Sequence, residues 1–474
     1  SMEVEPWLAD SFTVNDEHTE WVITLKDGIK FSDGCDLTPT KVKECFEYLK
    51  EMGPSGSAKP QKYLEFEATV TADDEANTLT IQTTQPYANL PGQLAHPTMG
   101  IVDVADTENF DNGTIGTGPY MIDTFNGVGV GYDLVANPNY REEVPYDEVK
   151  LMYMGDASAK TMALQSGQVD LVENITNVSD IQDFKDNPDF TVDIASGVRC
   201  GFSWMNFDGV LGNKTLRQAI LMAIDYDTIC HSKTIGDLYT PGFSVLPSTL
   251  NYGYDKLNNP YTYDPEGAKK LLDDAGIVDT DGDGIREYNG KNLSYKAECP
   301  TGWSDWNATL EIVAAAGKNI GINIETYFPE AANYSTDYST GNFEITMQSG
   351  PGTSVANPYM RCRFFMSSDY NDLEVNFSGN FGHYQNDRVD EILAAIPHET
   401  DDAKLKDYYT ELSKIMLEDC PCVPLMYRPQ VFHEVNESVW TNYPQKDDGT
   451  NVPPMDCTDG YGVAALYNLE LIDG

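Results

Sequence analysis

Basic residues are scarce in this chain. Thirty lysines and arginines face 76 aspartates and glutamates over 474 residues, for a formal charge of −46. A surface of that sign repels phosphate backbones and anionic lipid headgroups, which argues against nucleic-acid binding. It reads as a solvated, self-repelling and highly soluble surface; attraction of cationic ligands is the functional alternative. Long apolar runs are also missing. No segment carries about 18 uninterrupted apolar residues, so no stretch has the length of a membrane-spanning helix. The nine cysteines are odd in number and scattered. Cys420 and Cys422 are too close for an ordinary bridge, and no second pair or nearby histidine completes a zinc pattern. Unpatterned thiols in an exported protein would suit an anaerobic source, and disulfides elsewhere stay open. There is no Gly-x-Ser-x-Gly elbow, no His-Glu-x-x-His motif and no phosphate loop. His383 and His433 show no triad spacing and read as surface or packing residues. A glycosidase would need two carboxylates flanking the scissile bond. With 76 acids such a pair can always be drawn, so it carries no signal. A binder is therefore expected rather than an enzyme.

What the sequence does contain is an ordinary globular composition, 41% hydrophobic and 22% charged. Single cores stop growing at about 250–300 residues, so two or more lobes are expected. Strand-turn-strand patterning covers 21–31, with Asp27-Gly28 as the turn signal. Thr38-Pro39-Thr40 opens a helix with Val42, Cys45, Phe46 and Leu49 on one face. Further strands are predicted at 68–71, 78–83, 120–125, 130–136, within 191–206, and at 322–327, 343–347, 423–427 and 462–471. Helices are predicted at 160–166, 216–224, 266–275, 307–319, 389–396 and 403–418. There is no tandem repeat and no low-complexity tract. The alternation of helices and strands implies an α/β architecture. Ser1-Met2 reads as an expression scar, and no signal peptide is visible, so export is inferred from the rest.

The order of several short motifs resembles one family. They are Pro6-Trp7-Leu8-Ala9, Leu25 to Gly34 followed by Leu37-Thr38, Gly116-Thr117-Gly118-Pro119-Tyr120, Leu164 to Asp170, and Leu216-Arg217-Gln218-Ala219-Ile220. The chain resembles the cluster C (family 5) substrate-binding proteins of ABC transporters, which include oligopeptide-, dipeptide-, nickel- and cello-oligosaccharide-binding members. The resemblance implies a two-lobed periplasmic-binding-protein-like fold of type II, with an extra subdomain in lobe I. It implies lobe I at 1–37, truncated at its N-terminal side, the extra subdomain at 38–115, lobe I again at 116–206, lobe II at 207–436 and a return to lobe I at 437–474. Crossings fall near Met205-Asn206-Phe207 and Glu437-Ser438-Val439-Trp440. The implied function is the extracellular solute-binding component of an ABC importer, a monomer that closes on its ligand and delivers it to the permease subunits. The implied location is the cell surface, through a lipid anchor upstream of this chain, or the periplasm.

The family's peptide binders place an aspartate four residues before a proline, in the loop after a lobe II strand. Here that loop is Ser349 to Pro358; Ser354 stands four before Pro358, and the loop has no acid. The peptide anchor is missing. The chain is instead similar to the cello-oligosaccharide branch, with oligosaccharide as the expected ligand and peptide as the alternative. A pyranose offers an apolar face to flat rings and a rim of hydroxyls to polar groups. Trp303 and Trp306, with Asp305 and Asn307 beside them, suit that chemistry, although the two rings also suit a staple on the following helix. At least one of them is expected to face a cleft. Trp204, Asn357, Tyr359, Arg361, Tyr384 and Tyr427 are further candidates; Trp204 equally suits a core strand and Arg361 a surface ion pair. Trp7 and Trp21 are expected in the core.

Asp279-Thr280-Asp281-Gly282-Asp283 opens like an EF-hand loop, with acids at positions 1, 3 and 5 and glycine at 6. Position 12 is Gly290, so a full EF-hand is excluded, and Glu287 would have to substitute. A structural calcium and a plain acidic turn both fit. No cofactor is required.

Overall fold

A computed structural model describes residues 4–52, 68–95, 99–105, 107, 110, 113–127, 129–173, 178–195, 199–230, 261–350, 358–428, 431–443 and 461–472. Contacts divide the chain into two compact units. One is built on Ser1–Met154 with Ala395–Asp402, the other on Gly155–Thr353, Asn357–Ala394 and Ala403–Gly474.

In the first unit, strands β1 (Ala9–Val14), β2 (Glu20–Leu25), β3 (Ala68–Asp73) and β4 (Thr78–Thr83) form an antiparallel sheet in the order β1-β2-β4-β3. Alternate residues Trp21, Leu25, Leu79 and Ile81 point inward, against Val42 and Phe46 of helix α1 (Pro39–Met52) and Leu90 of the short α2 (Leu90–Leu94). The second strand expected at 26–31 does not form. Gly28 makes the turn at φ 77°, but both edges of β2 are already paired, by β1 and β4. Ile29 and Phe31 instead drop into the core, with a single bridge from Lys30 to Asp36. Trp21 is a core residue as expected. Trp7 is not: it is 64% exposed, and the Arg141 guanidinium lies 4.5 Å from its ring centroid. A second antiparallel sheet joins β5 (Tyr120–Gly127), β6 (Gly131–Ala136) and β7 (Glu148–Met152).

The second unit begins with α3 (Ala157–Gln165), β8 (Leu171–Glu173), α4 (Val178–Lys185), β9 (Phe190–Ala195) and β10 (Arg199–Met205). Helices α5 (Lys214–Ala223), α6 (Tyr226–Thr228) and α7 (Pro265–Asp274) follow, then the small hairpin β11 (Glu287–Tyr288) and β12 (Lys291–Asn292). Next come β13 (Ser294–Glu298), α8 (Ser304–Asn319), β14 (Asn323–Tyr327), α9 (Ala331–Ser339) and β15 (Ile345–Ser349). The chain continues through α10 (Pro358–Met366), α11 (Asp387–Ala395), α12 (Asp402–Asp419), β16 (Cys422–Arg428) and β17 (Val431–Asn436). It closes with β18 (Trp440–Thr441), α13 (Tyr461–Leu466) and β19 (Glu470–Leu471). The first half of the strand expected over 462–471 is therefore helix, and only Glu470–Leu471 is strand; Ala464-Ala465-Leu466 is a good helix-forming run, and Ala465 packs against Val435 and Tyr443.

The central sheet runs β14-β13-β15-β10-β16, with β13 parallel to both of its neighbours and β10 antiparallel to both of its own. Tyr295, Ala297, Ile345 and Met347 share one buried cluster with Leu216 and Ile220 of α5, Leu272 of α7 and Leu310 and Val313 of α8. Side chains alternate along a strand, so Lys296 and Glu298 take the opposite face. Where the resemblance implies the first crossing, Asn206 Nδ2 donates to the carbonyls of Gly341 and Phe343, and Phe207 N to that of Gly382.

Arg217 of α5 is 3% exposed and donates to the carbonyls of Leu211, Gly212, Asp419 and Cys420, with its guanidinium 4.0 Å from the Phe207 ring centroid. A lysine has neither the planar fork nor the donors to satisfy four buried carbonyls. Arg217→Lys is expected to lower stability by about 2–3 kcal/mol, read as a fall in the urea midpoint.

Candidate ligand-binding site

In open α/β sheets, ligands gather beyond the carboxyl ends of parallel strands. The ends of β13, β14 and β15 lead into Cys299–Trp303, Phe328–Glu330 and Gly350. The first of these turns carries Trp303. Gly302 takes φ 78°, a left-handed conformation that costs other residues about 1 kcal/mol or more, and a Cβ there would meet Asp156 Oδ2 at 3.4 Å. Asn307 Nδ2 braces the turn from the helix, donating to Pro300 O at 2.9 Å and to Cys299 Sγ at 3.0 Å. Trp303 is the N-cap residue of α8, and its carbonyl accepts from Asn307 N at 2.8 Å.

The two expected tryptophans separate. Trp306 is 2% exposed and belongs to the core with Leu310, so its ring is not offered to a ligand. Trp303 is half-buried and packs edge-on against Trp306 at 4.9 Å between centroids. Its other aromatic neighbour is Tyr334 of α9, at 6.2 Å. From there the rings continue through Tyr338 (5.1 Å) to Phe377 (5.7 Å) and Phe381 (5.2 Å).

Asp305 is 2% exposed and Asn307 is spent on the turn. Tyr359 and Arg361, 5% and 4% exposed, are buried on α10, where the Arg361 guanidinium lies 6.0 Å from the Phe365 centroid. Tyr384 donates to Asp419 Oδ2 at 2.7 Å and meets Phe207 edge-on, which makes it a strut of the fold rather than a free hydroxyl. Trp204 pairs with Thr346 and Cys422, and Tyr427 with Cys200, in the backbone register; their side chains lie outside the described residues, as do Asn357, most of the 349–358 loop and the side chain of His433.

Five residues before Trp303, at the end of β13, stands Glu298, which no sequence pattern singles out. The β13–β15 ladder stops at Glu298 opposite Thr346, and the next carbonyl on β15, that of Met347, accepts the Tyr334 hydroxyl. Glu298 is 3% exposed, and its Oε1 has no hydrogen-bond partner among the described residues. Burial pushes its carboxyl up to about 7, and the Asp337 charge adds to the effect; the Thr346 hydroxyl and Lys296 pull the other way.

In the acidic loop, oxygens of Asp279, Asp281 and Asp283 lie within 4.8 Å of one another. Asp279 accepts from Gly282 N and Gly284 N, Asp283 from Ile285 N, and Glu287 from Thr280 N. The loop is thus closed by its own backbone donors. Beyond the cluster nothing points to an ion, and no step below depends on one. Elsewhere, the first unit opens a recess of about 440 Å³ lined by Trp7, Trp21, Val42, Phe46, Leu90 and Met99 among others. Its lining is apolar apart from Glu5 and offers a sugar rim few partners. The seven cysteines whose side chains are described are free.

Residues 3–372 match the family described as bacterial extracellular solute-binding proteins, family 5 middle, and the chain belongs to that family. It is 24% identical over 445 residues to the oligopeptide-binding protein AppA of Bacillus subtilis, covering 90% of this chain and 78% of that one. It is 25% identical over 413 residues to the nickel-binding protein NikA of Staphylococcus aureus, covering 86% and 77%. Among solved structures it is similar to a periplasmic oligopeptide-binding protein of an ABC transporter from Thermotoga maritima, crystallised with mannohexaose, at 26% identity and a TM-score of 0.88 over 100% of this chain and 91% of that one. The expected α/β periplasmic-binding-protein fold holds. The protein is a non-enzymatic, extracellular or periplasmic component that binds a small solute for an ABC importer.

The Glu298 carboxyl gives this unit a signed pH dependence. Its folded value, about 7, lies above the ordinary 4.5, so the neutral form is favoured by folding. That contribution is whole below about pH 4.5, declines above it and is gone once pH passes about 7, a span of about 3 kcal/mol. Urea unfolding of Glu298→Gln, which cannot titrate, is expected to lack that loss, so that the gap between variant and wild type shifts by about 3 kcal/mol in the variant's favour from pH 4.5 to 8.

Proposed function

We propose that the solute is an oligosaccharide and that Trp303 is its stacking platform. The observation that carries the reading is the half-buried ring of Trp303, held at the carboxyl end of β13 by Gly302 and Asn307. A rigid aromatic face suits the C–H face of a pyranose and loses little entropy when it binds. Two further facts support sugar over peptide. The 349–358 loop has no carboxylate to hold a terminal ammonium. The similar protein from Thermotoga maritima was crystallised with mannohexaose. The role first given to the pair Trp303–Trp306 passes to Trp303 alone, with Trp306 as its support from below.

A thermal-shift panel of cello- and manno-oligosaccharides against tri- to nonapeptides tests the ligand class, because a ligand bound only by the folded state raises Tm. Oligosaccharides are expected to raise it and peptides to leave it unchanged; the reverse pattern would give the chain the peptide role of its relatives. Trp303→Ala is expected to weaken the best sugar at least tenfold by calorimetry, with stability changed by less than about 2 kcal/mol. Trp306→Ala is expected to behave oppositely in kind, with a loss of about 3–5 kcal/mol in unfolding free energy from the cavity it leaves.

A further inference from the structure

We propose that Glu298 positions Trp303: its buried carboxyl stands in the last register pair of the β13–β15 ladder, next to the Met347 carbonyl that Tyr334 of α9 bonds, and while neutral it lets α9 stay seated against the turn that carries the tryptophan. The proposal goes one step beyond the oligosaccharide reading and rests on it only for the ligand used in one arm of the test.

The geometry is a short relay. Glu298 and Thr346 are register partners, the last pair of the parallel ladder. Directly beyond them Tyr334, 3% exposed, donates its hydroxyl to Met347 O and so takes the place of the next ladder bond. The same ring meets Trp303 at 6.2 Å, and Tyr338 one turn later at 5.1 Å. Glu298 is also followed directly by Cys299, whose sulfur accepts from Asn307 Nδ2, the brace of the Trp303 turn. Two routes therefore lead from one buried carboxyl to one half-buried ring, through the helix above and through the chain itself.

A neutral carboxyl fits that space; a charged one does not. The groups that face it are Asp337 and Tyr334 on α9, Lys296 and Cys299 on its own strand, and Thr346 on β15, with Tyr327 of β14 opposite it in register. Lys296 is the sole cation among them, and its Nζ sits 4.6 Å from the Tyr327 ring centroid. Ionised Glu298 would put a second negative charge beside Asp337 under a helix that must stay seated. The charge is relieved by letting α9 and the turn separate, which moves the Trp303 ring. Solute capture then weakens as the carboxyl loses its proton.

Two readouts test this on the whole chain. The first needs no ligand: the fluorescence of Trp303, taken as the difference between wild type and Trp303→Phe, is followed from pH 5.5 to 8.5. A transition with a midpoint near 7 that vanishes in Glu298→Gln is expected. The second is the Kd for the oligosaccharide that binds best, by calorimetry over the same range. Wild type is expected to weaken about tenfold across the transition, Glu298→Gln to show no such step, and Asp337→Asn to move the midpoint downward. An unchanging Trp303 signal in wild type, or the same transition in Glu298→Gln, overturns the proposal. If no oligosaccharide binds at any pH, the ligand reading fails while the fluorescence arm still decides the role of Glu298.

Discussion

The parallel pairing of β13 with both of its neighbours is the constraint on which the second unit depends. A strand with parallel partners on each side cannot be closed by hairpins; it needs helical crossovers, here α8 between β13 and β14 and α9 between β14 and β15. One face of β13 is buried, where Tyr295 and Ala297 pack apolar side chains against α8, and the other is exposed at Ser294 and Lys296. On the other face the strand ends in a carboxylate, Glu298, and covering it falls to α9. A buried acid is thus placed at the strand end from which the Trp303 turn leaves the sheet.

The same constraint explains why two tryptophans three residues apart have different lives. Trp306 lies within α8 and turns toward the sheet, so it joins the core with Leu310 and Val313. Trp303 precedes the helix as its N-cap, on a turn set by Gly302 at positive φ, and keeps part of its ring in solvent. A composition argument sees two equal rings; the helix boundary makes one a foundation and the other a surface. Arg217 illustrates the same logic away from the site. Its charge is spent on four backbone carbonyls that would otherwise be buried without donors.

Much of the fold was legible because its signals are local. The Pro39 start of α1, the 3.6-residue spacing of α5 and α7 and the alternation in β3 and β4 are set by neighbours in sequence, and the elements stand where the patterns put them. The failures are non-local. Residues 26–31 look like a hairpin arm, but both edges of β2 are taken by β1 and β4, pairings that no local pattern reveals. Trp7 looks apolar, yet it is held outside by Arg141, a residue 134 positions away. Glu298 was hidden among 76 acids, since nothing in Ser294-Tyr295-Lys296-Ala297-Glu298 marks the last residue as buried. The signal that was available is the i, i+4 pair Tyr334–Tyr338 on α9, an aromatic stripe that had to cover something.

Hydrogen–deuterium exchange of the full chain with and without mannohexaose, read by mass spectrometry, tests the central claim most directly, because it reports where a sugar binds as well as whether it does. The account predicts the strongest protection on the Cys299–Trp303 turn and the first turns of α8 and α9. Protection by a peptide instead, or sugar-dependent protection that leaves 299–303 and 331–339 unchanged, would contradict it.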